Sequence, residues 1–294
     1  MPRSLLATSD LHVTHQGNKE VVERIRPQHD DDWLIVAGDV AESTGAIEWA
    51  LRLLARRFAK VIWTPGNHEL WTVAKDPDAA RGVRRYENLV ELCRGLGVVT
   101  PEDEYPIFET DDEAIVVASL FLLYDYSFRD PGTSLGEAME HAYSTGLVFS
   151  DEQLLHPDPF PSRQAWCHDR VRLTEQRLAA IPADLRTVLV SHFPLHRGPT
   201  RVLRHPHLAM WCGTELTADW HVRFRAAAAV YGHLHIPVTL EFDGVRFEEV
   251  SLGYPREWGR RPTQPPQPVR TIVPADLSRE PWNHRPEWRD RTSR

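Results

Sequence analysis

The feature that most constrains this chain is a series of five polar clusters that each follow a short apolar run. Such runs are typical of strands buried on both faces, and helical patterns separate them along the chain. In open α/β sheets, ligands bind beyond the carboxyl ends of the strands, so we expect the clusters to meet at one edge. In chain order, the clusters are Asp10 and His12; Gly38 and Asp39; Gly66 to Glu69; Ser191 and His192; and Gly232 to His235.

The secondary structure between the clusters is predicted from periodicity. Apolar residues recur at helical spacing over 47–58, and we also expect helices at about 79–96 and 163–181. An Asp-Gly dipeptide separates the runs 239–242 and 245–250, which is a strong signal for a hairpin of two strands. The sequence therefore predicts an α/β protein.

The domain organisation follows from length and from shifts in composition. The chain has 294 residues, 41% hydrophobic and 26% charged, which is ordinary for one or two globular domains. We expect a single domain over 1–258. An irregular stretch at 123–162, aromatic at first and then rich in Gly, Ser and Pro, is typical of an insertion or lid. Prolines and arginines dominate 259–294 and predict an extended tail.

Composition favours a cytoplasmic protein that binds neither membranes nor nucleic acid. No apolar run reaches the roughly 18 residues that span a bilayer, and the first residues lack the apolar core of a secretory signal. Cys93, Cys167 and Cys212 are odd in number and show no C-x-x-C spacing, which is typical of reduced thiols. A net charge of −8 argues against nonspecific nucleic-acid binding. None of these features predicts an oligomeric state.

The cluster residues are of the kinds that divalent metal ions bind. Carboxylate, amide and imidazole groups together suit Mn, Fe or Zn, and the lack of cysteine argues against a structural zinc site. One ion takes about four protein ligands, so a larger set suits two ions that share a carboxylate. Each cluster alone is weak evidence, because a buried aspartate that caps a helix is equally common. The candidate ligands are Asp10, His12, Asp39, Asn67, His192, His233 and His235.

The ordered motifs D-x-H, G-D-x-x-E, G-N-H-E, S-H and G-H-x-H resemble those of the calcineurin-like metallophosphoesterase family. The resemblance implies a four-layer αββα sandwich of two mixed β-sheets flanked by helices. It implies two bound metal ions, with Mn and Fe favoured and Zn also suitable. One ion would be held by Asp10, His12, Asp39 and His235. The other would be held by Asp39, Asn67, His192 and His233, so that Asp39 bridges.

The chemistry of such a site follows from physical principles. Two ions about 3.5–4 Å apart lower the pKa of a bridging water, and the resulting hydroxide attacks phosphorus in line with the leaving oxygen. The resemblance makes His68 a phosphate contact that protonates the leaving group, which leaves His68 and Asp39 as the catalytic residues. Glu42 and Glu69 are expected to support the site rather than to react.

A closer resemblance narrows the substrate. The strings at 121–128, 211–214, 217–221 and 250–258 look like those of an actinobacterial-type branch that includes hydrolases of 4′-phosphopantetheine on holo carrier proteins. The similarity covers about residues 3–260. It implies that the partner is a holo acyl or peptidyl carrier protein, which the reaction returns to its apo form.

Substrate contacts are sought in aromatic and basic residues outside the motifs. Carrier proteins are usually acidic, so an acidic enzyme needs a local basic patch, which 196–204 or the tail could supply. Packing of the tyrosines and solvation of the arginines are the competing interpretations. The candidates are Tyr124, Tyr126, Arg129, Arg197, Arg201 and Arg204.

Two other functions compete with this one. The same chemistry could act on a small phosphodiester such as a cyclic nucleotide, because loops rather than the fold decide the substrate. A non-catalytic scaffold could keep the fold for partner binding. The complete ligand set and the presence of His68 disfavour the scaffold.

Overall fold

The computed structural model describes residues 3–74, 76, 79–146, 149–261 and 266–275. Strands and helices alternate over most of this range. The strands are β1 (Leu5–Thr8), β2 (Trp33–Val36), β3 (Lys60–Trp63), β4 (Ile107–Glu109), β5 (Ala114–Ser119), β6 (Arg186–Val190), β7 (Ala226–Tyr231), β8 (Thr239–Phe242), β9 (Val245–Glu249) and β10 (Arg270–Val273). The helices are α1 (Gln16–Val22), α2 (Thr44–Ala55), α3 (Gly82–Gly95), α4 (Leu135–Ser144), α5 (Asp151–Leu154), α6 (Arg163–Ala179), α7 (Trp220–Arg223) and α8 (Pro255–Trp258).

The strands form two mixed sheets. One has the order β10-β1-β2-β3 and the other β4-β5-β6-β7-β9-β8. Strands β1 to β3 are mutually parallel, and so are β5, β6, β7 and β9. The antiparallel members β10, β4 and β8 lie at sheet edges. Parallel strands therefore end together in each sheet, and their carboxyl ends present the loops that carry the polar clusters.

Successive side chains of each strand point to opposite faces of its sheet, and the packing of these faces produces four layers. Leu5 and Ile35 of the first sheet share a buried cluster with Val117 and Val188 of the second, so these faces pack against each other. The intervening residues of the same strands, such as Leu34, instead join the cluster that contains helix residues. Each fully buried aliphatic side chain stabilises the fold by about 1.5–3 kcal/mol. The predicted αββα sandwich is confirmed.

The predicted helices and the hairpin are present with small shifts in their bounds. The three predicted helices occupy Thr44–Ala55, Gly82–Gly95 and Arg163–Ala179. In the hairpin, Asp243 and Gly244 have φ angles of 52° and 75°, as a two-residue turn with both central residues left-handed requires.

The irregular stretch at 123–162 contains more helix than predicted. Helix α4 begins with a capping box, in which Ser134 and Glu137 bond to each other's backbone amides. The S-x-x-E spacing indicates such a start, but the Gly, Ser and Pro residues around it are typical of a loop. Short helix α5 begins at Asp151, whose side chain is fully buried.

The fold extends past the predicted boundary at residue 258. Strand β10 pairs antiparallel with β1 and forms one edge of the first sheet. Ile272 is fully buried between the sheets, so this part of the tail belongs to the core. A short T-I-V run gave too little signal within a stretch rich in Pro and Arg. The tail prediction from residue 276 onward lies outside the described residues.

Among the described residues, no helix combines the length and the apolar character needed to cross a bilayer.

Candidate metal centre

The predicted ligands lie at one edge of the sandwich and come from both sheets. Asp10 and His12 follow β1, and Asp39 and Asn67 follow β2 and β3 of the same sheet. The histidines at 192, 233 and 235 follow β6 and β7 of the other sheet. A parallel bridge between residues 9 and 251 joins the two sheets at this edge. The carboxyl ends of both sheets therefore form one site.

A first cluster contains Asp10, His12 and His235. The Nε2 atom of His235 lies 2.9 Å from Oδ1 of Asp10 and 3.2 Å from Nε2 of His12. Nε2 of His12 lies 4.0 Å from the same carboxylate oxygen. Asp10 is further held by the hydroxyls of Ser9 and Ser251, which donate to its Oδ2 at 2.5 and 2.7 Å. Three potential ligand atoms thus face a common point.

A second cluster contains Asp39, Asn67, His192 and His233. Oδ1 of Asn67 lies 3.1 Å from Nε2 of His192 and 3.2 Å from Nδ1 of His233. Oδ2 of Asp39 lies 3.4 Å from Nε2 of His192. The same oxygen is 4.0 Å from Nε2 of His12 in the first cluster. Asp39 therefore stands between the clusters, as a bridging ligand must.

Hydrogen bonds outside the clusters orient three of these side chains. Nδ1 of His192 donates to the carbonyl of Ala37 at 2.9 Å, which leaves its Nε2 as an acceptor. Nδ1 of His235 is 2.8 Å from Oε2 of Glu257 and likewise leaves Nε2 facing the site. The amide nitrogen of Asn67 donates to Asp151 at 2.9 Å, so its oxygen points inward. Converging acceptor atoms suit cations, and this donor set fits two of them.

The pKa shifts of the clustered residues also show that positive charge is stabilised at the site. Burial opposes charge on His192 and His235, but Asp39 and Asp10 outweigh it and raise the pKa of each imidazole to about 10. Burial likewise opposes ionisation of Asp10, yet the nearby histidines hold its pKa below the usual range. In the protein without metal ions, protonated histidines balance the negative charge of Asp10 and Asp39. Bound cations would provide the same positive charge.

The backbone at the site is strained. Five of the seven candidate ligands are non-glycine residues with positive φ, an arrangement that costs about 1–3 kcal/mol at each position. Such strain persists only where the surrounding structure imposes it, and it is concentrated at functional sites. The five, with φ between 39° and 69°, are Asp10, His12, Asp39, His233 and His235.

Two glycines permit the close approach of the motif loops. A Cβ atom on Gly66 would lie 2.1 Å from Oδ1 of Asp39, and one on Gly232 would lie 2.2 Å from Oδ2 of Asp10. Both distances are too short for any side chain. Glu69 connects two of the loops, since it accepts hydrogen bonds from the backbone amides of Asp39, Val40 and Gly66 at 2.8–3.0 Å. Its contacts are those of a supporting residue.

His68 lies beside the two clusters and belongs to neither of them. Its Nδ1 is 3.0 Å from Oε1 of Glu42, its Nε2 is 3.8 Å from Oδ2 of Asp39, and its ring stacks on Trp71 at 3.7 Å. Burial lowers the pKa of His68, but the carboxylates of Asp39 and Glu42 outweigh burial and raise it. The imidazole is therefore held where it can carry a proton at the cavity.

An open cavity of about 330 Å³ lies over the site. Several residues in its wall were not predicted, because they belong to none of the five motifs. Tyr254 belongs to the string at 250–258, whose sequence indicates no role at the site. The cavity is lined by Asp39, Asn67, His68, Trp71, Phe149, Ser150, Asp151, His233, His235, Tyr254 and Arg256.

The two tyrosines predicted to contact substrate do not face this cavity. Tyr124 and Tyr126 are only 1% and 4% exposed. The hydroxyl of Tyr126 donates to Glu152 at 2.8 Å and accepts from Arg163 at 2.9 Å. Tyr124 packs edge-on against the rings of Tyr126 and Phe193, with centroid separations of 5.3 and 5.7 Å. These contacts favour packing of the two tyrosines over the predicted contact with substrate.

The predicted arginines also lie away from the cavity wall. Arg197 pairs with Asp130 at 2.5 Å in a separate groove that also includes Arg129. The guanidinium of Arg201 packs over the ring of Phe242 at 5.3 Å. The sixth candidate, Arg204, is exposed. A role for these arginines is therefore sought in partner docking and not in contact with the reacting group.

Comparison with known proteins places this fold and site in a family. A family model for calcineurin-like phosphoesterases matches residues 3–237. The chain belongs to the calcineurin-like phosphoesterase family, and the predicted enzyme class, a metal-dependent phosphoesterase, is confirmed. All seven candidate ligands lie within the matched range, whereas Tyr254 and Glu257 lie beyond it.

Two matches are closer than the family level. The chain is 53% identical over 272 residues to the acyl-carrier-protein phosphodiesterase PptH of Mycobacterium tuberculosis, covering 92% of this chain and 83% of the relative. The crystal structure of phosphopantetheinyl hydrolase PptH from Mycobacterium tuberculosis matches with a TM-score of 0.90 and 52% identity. That match covers 94% of this chain and 97% of the other. The predicted family and its branch are confirmed.

Proposed function

We propose that this protein hydrolyses the phosphodiester that links 4′-phosphopantetheine to a serine of a holo carrier protein. The observation that carries the proposal is the convergence of two metal-binding clusters on Asp39 beneath an open cavity. A relative that is 53% identical and is named an acyl-carrier-protein phosphodiesterase supports the choice of substrate.

The proposed first ion is held by Asp10, His12, Asp39 and His235. Asn67, His192 and His233 would hold the second ion together with Asp39. Mn and Fe best suit these oxygen and nitrogen ligands, and Zn is also compatible. When bound, the two ions supply an activated water and neutralise charge on the phosphoryl oxygens.

His68 has the position of the group that protonates the leaving oxygen. His68 lines the cavity with its Nε2 3.8 Å from Oδ2 of Asp39, and Glu42 fixes the ring by accepting from Nδ1. The leaving group is a serine alkoxide, which is too basic to depart without a proton. Water adds to phosphorus as the bond to the serine oxygen breaks, and the products are apo carrier protein and 4′-phosphopantetheine.

Recognition of the carrier is proposed to use the arginines of 196–204 and the exposed Arg256. Arg256 lies in the wall of the cavity, whereas Arg197, Arg201 and Arg204 lie outside it. A local group of cations would attract an acidic carrier to a chain of net charge −8.

The cytoplasm is the proposed compartment, since all three cysteines are buried free thiols, as in reducing environments.

The test is the intact mass of a purified holo carrier protein after incubation with the enzyme and Mn²⁺. We expect loss of the phosphopantetheine mass with the wild-type enzyme and no loss with Asp39→Asn. An unchanged carrier mass, with efficient turnover of a cyclic nucleotide by the same preparation, would refute the proposed substrate. Failure to hydrolyse any phosphodiester would instead favour the scaffold.

A further inference from the structure

Two carboxylates lie outside the five motifs, and each contacts one candidate ligand: Asp151 contacts a ligand of the second cluster, and Glu257 contacts a ligand of the first. Asp151 begins the short helix α5 within the stretch predicted to be an insertion, and Glu257 lies in α8 beyond the matched family range. Neither belongs to a predicted ligand set. Both accept a hydrogen bond from the part of a ligand side chain that faces away from the metal centre.

Asp151 is placed to control the direction of the Asn67 amide. Its Oδ1 accepts from Nδ2 of Asn67 at 2.9 Å and from Nε1 of Trp71 at 2.6 Å. An amide can rotate to present either oxygen or nitrogen, and only the oxygen binds a cation. A buried carboxylate can only accept from the nitrogen, so it selects the orientation in which Oδ1 faces His192 and His233.

The segment that carries Asp151 is itself fixed to the metal edge. Residues 71 and 155 form an antiparallel bridge, and the amide of Thr72 donates to the carbonyl of Leu154 at 2.9 Å. The backbone that follows the G-N-H-E motif is therefore tied to the C-terminal end of α5. Asp151 consequently holds a defined position against Asn67 and does not belong to a freely moving loop.

Glu257 has the corresponding role for His235. Its Oε2 lies 2.8 Å from Nδ1 of His235 and accepts from the amide of Tyr254 at 2.8 Å. The bond to Nδ1 fixes the imidazole with Nε2 toward Asp10. Tyr254, in the same segment, stacks on the ring of His12 with a centroid separation of 4.4 Å. Residues 254–257 thus contact two ligands of the first cluster.

We propose that Asp151 and Glu257 are positioning residues for the two metal sites, one for each, with Asp151 acting through Asn67 and Glu257 through His235. The proposal rests on the ligand assignment in the proposed function. Loss of such a supporting hydrogen bond weakens metal affinity by about 10- to 100-fold. Because the two residues act on different clusters, each substitution should weaken one site and spare the other.

The experiment titrates metal-free protein with Mn²⁺ alone and follows binding by calorimetry. Wild-type protein is expected to bind two ions. Asp151→Asn and Glu257→Gln are each expected to weaken one of the two binding steps by about 10- to 100-fold, while Gln153→Ala and Arg260→Ala leave both unchanged. Gln153 and Arg260 are exposed residues close to the two positions, so they control for local disturbance.

Double variants assign each effect to its ligand. Asp151→Asn should change Mn²⁺ affinity by less than about twofold in an Asn67→Ala background, whereas Glu257→Gln should keep its full effect there. The reverse pattern is expected in a His235→Ala background. Circular dichroism confirms that each variant is folded.

The outcomes separate the two proposals. Additive effects in both backgrounds, or wild-type affinities in both single variants, would overturn the positioning roles. Wild-type protein that binds fewer than two ions would instead overturn the dinuclear site itself. A variant that fails to fold is replaced by Asp151→Leu or Glu257→Met, which have a similar size and remove the acceptor.

Discussion

The metal centre and the arginine stretch 196–204 hold their polar side chains in opposite ways. At the metal centre, His12 and His192 are fully buried, and each interacts with other groups of the centre. In the arginine stretch, the Arg197 side chain is 32% exposed and its partner Asp130 is 72% exposed. Exposed ion pairs contribute about 0–1 kcal/mol, whereas buried polar networks are rigid. The folded structure therefore fixes the side chains of the metal centre, whereas the exposed side chains of the arginine stretch can adjust to a partner.

The largest expected effect comes from Asp39, which lies between both clusters. Asp39→Asn removes the negative charge that a bridging ligand supplies, so we expect hydrolysis of both an aryl phosphodiester and a carrier protein to fall by roughly 1000-fold. Steady-state kinetics with each substrate at saturating Mn²⁺ measures the loss. Full activity of the variant would contradict the dinuclear arrangement. Asp130→Asn, outside the centre, is the matched control for aryl phosphodiester turnover.

His68 distinguishes the chemistry of the leaving group from metal binding. His68→Ala is expected to lower carrier-protein turnover by about 10²- to 10⁴-fold, because a serine alkoxide needs a proton to leave. A nitrophenyl phosphodiester has a leaving group that departs without protonation, so its turnover should fall much less. The ratio of kcat for the two substrates is the measurement. Equal losses on both would exclude His68 as the acid.

Charge reversal in the arginine stretch affects docking alone. The triple variant Arg197→Glu, Arg201→Glu and Arg204→Glu is expected to lower kcat/KM for the carrier by about tenfold, with a dependence on ionic strength. Turnover of the aryl phosphodiester should stay at the wild-type value, because these residues lie outside the cavity. Arg84→Glu, on the exposed face of α3, serves as the control. Unchanged carrier kinetics would remove this stretch from the docking surface.

The smallest effect on activity is expected at Tyr126, which the structure places in the core. Tyr126→Phe removes the hydroxyl that bonds to Glu152 and Arg163, and it should lower the free energy of unfolding by about 1–3 kcal/mol. KM for the carrier should not change. Urea denaturation with parallel kinetics provides both values, and the exposed Tyr143→Phe is the control. A raised KM with unchanged stability would restore Tyr126 as a substrate contact.

The sequence predicted which polar residues meet at the sheet edge better than it predicted the surroundings of the cavity, for a physical reason. Asp10, Asn67 and His192 each follow a strand, and the parallel arrangement of strands brings such positions together whatever the loop details. No such rule predicts the position of Asp151, since its distance from Asn67 depends on how α5 packs. The burial of Tyr124 could not be predicted, because an aromatic residue in an irregular stretch has the same pattern whether it is buried or exposed.

The boundary of the fold was missed for a related reason. A four-residue strand such as β10 is recognised by its partner β1, which lies more than 260 residues earlier in the chain. Local composition at 259–294 carries no information about that pairing. The hairpin of β8 and β9 was predictable because its Asp-Gly turn fixes the pairing locally.

The left-handed backbone at Asp10, His12, Asp39, His233 and His235 also affects protein engineering. Replacing such a ligand by glycine removes a steric penalty from the folded chain, so an inactive variant could match or exceed the thermal stability of the parent. Selection for heat resistance alone would then enrich sequences that have lost the metal centre. Screens for robust versions of this enzyme need metal content or turnover as a second criterion.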